Sequence, residues 1–385
     1  MRAHMRTVVS LTSAIVTASC SSPSKVVPDD AVKHDAARDA NAMPSKTFVF
    51  VSGDDGNIRV ASFDGTTGAV GAFTTYPAGR NPSFLALAPD RKHLFAVDES
   101  ANRVMAFAVD GTTGALTARG ERDSTSTGPT HLSVDATGRW LLVAHYTGGR
   151  YAIFPIAADG TIGTATDSAD IGANAHFIAA DPSNRFVYVP CLGANYVAQR
   201  QLNLTTGTLQ ALPAPAPASV ASASGAGPRH LAFRGDGKFA FVVNEHNSTV
   251  TSYSIDGSTG ALTSGASLST LPAGFTGNNT GAGIAATPDG KWLFTSNRGH
   301  DSISRFAIAP ASGALTALGH TATGGATPRA LAVDATGQWL IVGNQASKTI
   351  SVFAVGSDGG LSPTAAPLAV AGKPTFVSIF AIAVP

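Results

Sequence analysis

The chain has 385 residues, 44% of them apolar and only 13% charged, and it carries 41 glycines and 22 prolines. That is ample for a hydrophobic core and too rich in glycine and turns for a helical protein. A formal net charge of +1 without a basic cluster argues against nucleic acid as a partner, and the two cysteines, Cys20 and Cys191, lie far apart in different settings, so neither a zinc site nor a disulfide is expected.

The chain opens like an export signal. Arg2 and Arg6 give a basic start, and Val8 to Val16 is a short, moderately apolar run. Thr17-Ala18-Ser19-Cys20 then resembles a bacterial lipobox in which Cys20 would be lipidated, with Thr17 standing where leucine is usual. Ordinary cleavage nearby, and secretion, are the alternatives. The stretch to Ser45 is polar and charged without apolar periodicity, and reads as a disordered tether. The expected division is a signal peptide over 1–20, a tether over 21–45 and one folded domain over 46–385. No later stretch is long and apolar enough to span a membrane, so a lipid on Cys20 would be the only anchor.

From Thr67 onward one turn motif recurs. It reads Thr67-Gly68-Ala69-Val70, Thr113-Gly114-Ala115-Leu116, Asp159-Gly160-Thr161-Ile162 and Thr206-Gly207-Thr208-Leu209, then Thr259-Gly260-Ala261-Leu262, Ser312-Gly313-Ala314-Leu315 and Asp358-Gly359-Gly360-Leu361. The glycines are spaced by 46, 46, 47, 53, 53 and 46 residues. Seven copies at this period, each long enough for four short strands, predict an all-β, seven-bladed β-propeller. Within a unit, strands A and B form a hairpin, as in Leu331–Val333 and Trp339–Val342; strand C follows, as in Thr349–Ala354, and the glycine turn leads into strand D. Thr47–Val51 resembles a strand B without its strand A, and Thr375–Ile382 at the far end is the expected partner. Pairing of the two termini would close the ring and remove free sheet edges, which fits a monomer. Two insertions, Leu212 to Gly227 and Pro272 to Gly283, flank one hairpin and read as walls or a lid over a site, or as tolerated surface loops.

That hairpin runs from Gly227 to Val250. Arg229 stands eight residues before Gly237 and Glu245 eight after it, so a guanidinium and a carboxylate meet at the open end. Aligning every unit on this glycine gives two columns. The strand-A column reads Ser83, Thr130, His176, Arg229, Ala282 and Arg329; the strand-B column reads Glu99, Tyr146, Leu192, Glu245, Arg298 and Gln345. Strand A is innermost in a propeller blade, so both columns ring one mouth of the central channel. Charges clustered there are costly unless paired or used. They are either ion pairs stapling blades, Arg229 with Glu245 and Arg298 with Glu99, or a site. His131 and His230 are expected to face into the sheet as satisfied core histidines. His145, His246 and His300 sit in loops, Cys191 reads as a small buried hydrophobe, and Trp140, Phe239, Trp292 and Trp339 share one strand-B position and read as packing between blades. No metal constellation and no Ser-His-Asp order stands out. Arginines, a carboxylate and a histidine suit proton transfer at or beside the carbonyl of an anionic substrate.

Gly225-Ala226-Gly227-Pro228-Arg229-His230, with Asn244-Glu245 and Asn247-Ser248, resembles the seven-bladed propeller lactonases, which include bacterial 6-phosphogluconolactonases and fungal carboxymuconate-cyclising enzymes. Gly128-Pro129-Thr130-His131, Thr287-Pro288-Asp289-Gly290, Asn297-Arg298 and Thr327-Pro328-Arg329 support the likeness, which covers residues 46 to 385. It implies a lactonase that opens or forms a small anionic lactone without a cofactor. The family's proposed active-site positions fall on His176, Arg229, Glu245 and Arg298. Arg329, Glu99, Tyr146 and Gln345 are then expected to contact substrate. Cys191 and Asn195 stand where relatives often carry Asp. The alternative is a non-catalytic, exported binding propeller.

Overall fold

The structure, a computed structural model, describes residues 45–384. The expected signal peptide, nearly all of the tether and Cys20 lie outside the described residues.

Every regular element among the described residues is a β-strand, and the strands form seven antiparallel sheets, six of them runs of neighbours in sequence. Blade 1 runs Pro82–Leu87, His93–Asp98, Arg103–Val109 and Leu116–Asp123, from innermost strand A to outermost strand D. The inner hairpins of blades 2 to 6 are Pro129–Val134 with Trp140–His145, Ala179–Ala180 with Phe186–Cys191, Pro228–Phe233 with Phe239–Asn244, Thr280–Ala286 with Trp292–Arg298, and Pro328–Val333 with Trp339–Asn344. Blade 7 is the joint. Pro374–Ala383 is its strand A, and it pairs with Ser45–Gly53 from Ser45↔Ala383 to Gly53↔Pro374. The terminal strands therefore close the ring, each one or two residues longer at its ends than the apolar runs alone indicate.

Burial explains the sequence pattern of the strands. Strand B of blade 2, Trp-Leu-Leu-Val-Ala-His over 140–145, is buried at all six positions because neighbouring blades cover both its faces. Its residues are apolar almost without alternation, as in any sheet packed on two sides. Strand D of blade 1 is exposed along nearly its whole length and reads Leu-Thr-Ala-Arg-Gly-Glu-Arg-Asp. The core accordingly lies between blades rather than at one centre: Phe50 and Ile58 of blade 7 pack against Leu85, Leu94 and Phe107 of blade 1.

The recurring glycine turn has a specific partner. A Cβ on Gly207 would lie 2.1 Å from the Trp140 ring of the preceding blade, and one on Gly313 would lie 2.2 Å from Phe239. Gly68 stands in the same way against Trp339 and Gly359 against Trp292. Each of these glycines also has φ between 63° and 74°, a left-handed conformation that a side chain disfavours. The turn is thus held to glycine twice over, and the shared aromatic position on strand B is the surface it docks on.

The two insertions behave differently. Ser219–Ala221, within the first, pairs with strand C of blade 3, so this part completes an outer edge instead of walling the mouth. The second is tied down beside Glu245: Gly281 N–H donates to the Glu245 carbonyl at 3.0 Å, and Asn279 Nδ2 donates to Ser248 Oγ at 2.9 Å.

Candidate active site

The alignment glycine is a conformational position. Arg91, Gly138, Asn184, Gly237, Gly290 and Gly337, its occupants in blades 1 to 6, all have positive φ. From this turn the hairpin climbs to the mouth, where its ladder breaks. In blade 4 the pairing passes from His230↔Val243 to Pro228↔Asn244, leaving Arg229 without an opposite residue. The same one-residue bulge isolates Ser83, Thr130, Arg329 and Thr375 in blades 1, 2, 6 and 7. Blade 5 skips both Ala282 and Gly283. In blade 3 strand A is reduced to Ala179–Ala180, with an isolated bridge from Ala175 to Cys191 beside His176. A bulge bends its strand and re-aims the unpaired side chain. The strand-B column is then fixed to it by the backbone: Glu245 N–H donates to Gly227 O, Tyr146 to Gly128 O, Glu99 to Asn81 O and Gln345 to Thr327 O.

Glu245 is the centre of the mouth. Its Oε2 lies 2.9 Å from Arg229 Nε and its Oε1 lies 2.9 Å from Arg298 Nη2. The first contact is off the N–H axis, since Arg229 Nε makes no aligned hydrogen bond, so it acts as an ion pair rather than a directed bond. Arg229 Nη1 also donates to Ala282 O of blade 5 at 2.8 Å, and Arg298 Nη2 to Gly281 O at 3.1 Å. Arg229 is only 2% exposed. Arg298 therefore pairs with Glu245, not with Glu99 as the stapling alternative assumed.

Burial pushes the Glu245 carboxyl up, but Arg229 and Arg298 outweigh it and the net shift is downward, so the group is a carboxylate at neutral pH. Burial, then Arg329 and Arg298, pull the Arg229 guanidinium well below its ordinary value, with Glu245 opposing. Arg329 is lowered by burial and by Arg298, with Glu99 and Glu245 opposing. Among the described residues it has no carboxylate within ion-pair distance. Burial first, then Arg229 and Arg329, hold the His176 imidazole well below 6.5, so it is neutral. Three arginines thus face two carboxylates, Glu245 and Glu99, leaving about one positive charge unmatched.

Beneath this ring lies a cavity of about 410 Å³, with His176, Arg229, Arg329, Ser83 and Thr130 at its mouth end. Glu245 and Arg298 stand on the rim outside it. The Tyr146 ring lies edge-on to His176, with centroids 5.4 Å apart. Glu99 and Gln345 are half-buried. His131 and His230 differ from expectation: both line the cavity instead of facing the sheet, and His230 Nε2 has no hydrogen-bond partner. The bulge is the reason, because it brings two consecutive residues onto the channel side. The alignment that marks Arg229 also contains this next column, which was the available signal. Cys191 is fully buried, with its thiol raised to about 12 by burial. His145, expected in a loop, is instead the last residue of strand Trp140–His145 and fully buried, and burial pushes it down to about 4. Among the described residues no group of three or more His, Cys, Asp or Glu is placed to hold a metal ion.

Compared with known proteins, residues 46–379 match the family described as "Lactonase, 7-bladed beta-propeller". The chain belongs to this lactonase family. A 6-phosphogluconolactonase of Pectobacterium carotovorum is 35% identical over 236 residues, 61% of this chain and 69% of the relative. One of Formosa agariphila is 31% identical over 281 residues, 68% and 78% of the two chains. Among solved structures, the periplasmic gluconolactonase PpgL of Pseudomonas aeruginosa superposes with a TM-score of 0.80 at 29% identity, over 88% of this chain and 99% of its own. The family match spans every residue of the mouth, so the arginine–carboxylate ring lies wholly inside the lactonase propeller.

Proposed function

We propose that this lactonase-family propeller opens a small sugar-acid lactone at the channel mouth, and that it does so as an exported monomer. The observation that carries the reading is Glu245 clamped between Arg229 and Arg298, above a cavity whose rim holds a neutral His176 and an uncommitted Arg329. A lactone carbonyl placed among the arginines would find cationic donors where its oxyanion develops. Water adds to the carbonyl carbon, the ring C–O bond breaks, the ring oxygen takes a proton, and a hydroxycarboxylate and one proton are released. Glu245 accepts the proton from water. In the free protein it is a weak base, because both its oxygens are engaged. As negative charge grows on the substrate, Arg229 and Arg298 are shared with it, and the basicity of Glu245 rises at the moment it is needed. His176, neutral, can donate a hydrogen bond to the leaving ring oxygen, which takes its proton from the protonated Glu245. Tyr146, Glu99 and Gln345 border the substrate, and Arg329 takes the carboxylate that forms as the ring opens.

The charge balance narrows the substrate. One unmatched positive charge suits a single carboxylate or oxyanion, and a phosphate dianion in addition would face Glu245 and Glu99 unneutralised. A lactone without phosphate also fits an exported protein, a reading supported by the basic N-terminus, the lipobox-like Cys20 segment and the likeness to the periplasmic gluconolactonase PpgL. The Arg229–Ala282 and Glu245–Arg298 contacts favour a second reading, in which the cluster joins blades 4 and 5 of a binding propeller without turnover.

A lactone panel read by proton release tests both. The expected result is faster opening of a hexonolactone than of its 6-phosphate ester. No acceleration with any lactone would leave the binding propeller. Membrane fractionation of the wild type and Cys20→Ala tests the anchor: lipidation at Cys20 predicts that only the wild type sediments with membranes.

A further inference from the structure

Below the mouth, the channel is lined by the residue that follows each bulge. In blades 7, 1, 2, 3 and 4 this residue carries a ring: Phe376, Phe84, His131, Phe177 and His230. The rings form a continuous arc. Phe84 lies 4.9 Å from Phe376 and 4.0 Å from His131, His131 lies 4.1 Å from Phe177, and Phe177 lies 5.7 Å from His230, centroid to centroid. The arc also reaches across the channel, with Phe84 and His230 6.0 Å apart. In blades 5 and 6 the same position is Gly283 and Ala330. The small Ala330 therefore leaves the layer open directly below Arg329, whereas Gly283 is packed, since a Cβ there would meet Leu331 Cγ at 3.0 Å and Ser296 Oγ at 3.3 Å.

The cavity is lined by residues on both sides of this layer. Its lining runs from Arg329 past Gly283 and Ala330 to Ala332, Leu87 and Phe380 at the far end. From Ser83 to Leu87 is four residue steps, a depth of roughly 13 Å along an extended strand. Below the ring layer the walls are mostly alanine, leucine, valine and phenylalanine, with Ser133 and Ser378 between them. A cation that lacks an ion-pair partner thus stands over a narrow, mainly apolar shaft of a size that suits a small ligand.

We propose that this shaft is a subsite for the apolar chain of a ligand whose carboxylate or lactone carbonyl is held at Arg329. The occupant is a medium-chain alkyl carboxylate or alkyl-substituted lactone, a substrate class beyond the sugar-acid lactones. The proposal rests on the anion-binding reading of the mouth but not on turnover. Arg329 supplies the charge complement, and each methylene drawn past Ala330 leaves water for an apolar wall, which at full burial favours binding on the order of fourfold per methylene. Ala330 is the residue that sets this specificity, since a ring at that place would complete the arc and close the shaft.

The test is calorimetric titration of butyrate, hexanoate, octanoate and decanoate into the intact protein. Affinity should rise by roughly tenfold or more from butyrate to decanoate in the wild type. Ala330→Phe should flatten the series while butyrate, which stops at the arginines, still binds. Should that variant fail to fold, Ala332→Phe blocks the shaft two residues deeper and should cost decanoate its advantage over hexanoate. Arg329→Ala should weaken binding of every carboxylate in the series, butyrate included. A flat series in the wild type, an unchanged rise in the blocked variant, or no carboxylate binding at all would overturn the proposal. Sugar lactone turnover combined with a flat series would overturn only this subsite. A rising series without turnover would support the subsite and count against the lactonase reading.

Discussion

Arg298, on strand B of blade 5, places Nη2 2.9 Å from Oε1 of Glu245, on strand B of blade 4. The contact crosses a blade boundary, and Arg229 completes it from the other side at 2.9 Å. One carboxylate therefore both joins two blades and, among the described residues, carries the only acidic oxygens in direct contact with the arginines of the mouth. Structure and chemistry are coupled at this point, and the variants below are chosen to separate them.

Glu245→Gln keeps the volume and removes the charge. If Glu245 is the base, turnover of the best lactone should fall by roughly 10²-fold or more. The change also leaves two guanidiniums without their carboxylate, and breaking a buried pair costs about 3–5 kcal/mol. Thermal melts must accompany the kinetics. A folded variant with wild-type turnover would remove Glu245 from the reaction.

Arg329 and Arg229 should respond in opposite ways. Arg229 is buried, bonded to Ala282 O and paired with Glu245, so Arg229→Ala should lower the melting temperature sharply. Arg329 has no such partner, and its neighbour Arg298 opposes its charge. Arg329→Met should leave stability unchanged or raise it, while weakening substrate binding, read as KM. Equal destabilisation by both changes would mean that Arg329 is a staple too.

Buried histidines make stability depend on pH. Burial lowers His131 from 6.5 to about 3 and His145 from 6.5 to about 4, and it lowers His176 and His230 as well. Below pH 6.5 the unfolded chain binds protons that the folded chain refuses, so stability is full above 6.5 and is lost as pH falls toward 4. Each such imidazole contributes up to about 1.4 kcal/mol per pH unit across its window. Urea midpoints at pH 7, 6 and 5 should decline steadily, and His131→Phe should make the decline shallower. Midpoints constant over that range would contradict the buried, neutral state.

Ring closure should be indispensable. Removing the last dozen residues takes away strand A of blade 7, exposes the Ser45–Gly53 edge and strips Phe376 and Ile382 from the core they share with blade 1. The truncated chain should not give a cooperative melt. A melt like that of the full chain would show that six blades and an open edge suffice.

The blade count, the closing strand and the two mouth columns were legible in the sequence because each is a local matter. A glycine turn recurs at a fixed spacing, a strand declares itself by its apolar run, and a hairpin places residues at equal distances from its turn side by side. Two features belonged to tertiary structure. Unbroken alternation would turn His230 into the sheet if Arg229 faces the channel, but the bulge at Arg229 adds one residue to the strand and brings both to the channel side. The partner of Arg298 was equally undetermined, since Glu99 and Glu245 offer the same charge at equivalent hairpin positions. Blades 4 and 5 adjoin, whereas blade 1 does not border blade 5, and a desolvated guanidinium pairs with the carboxylate it can reach.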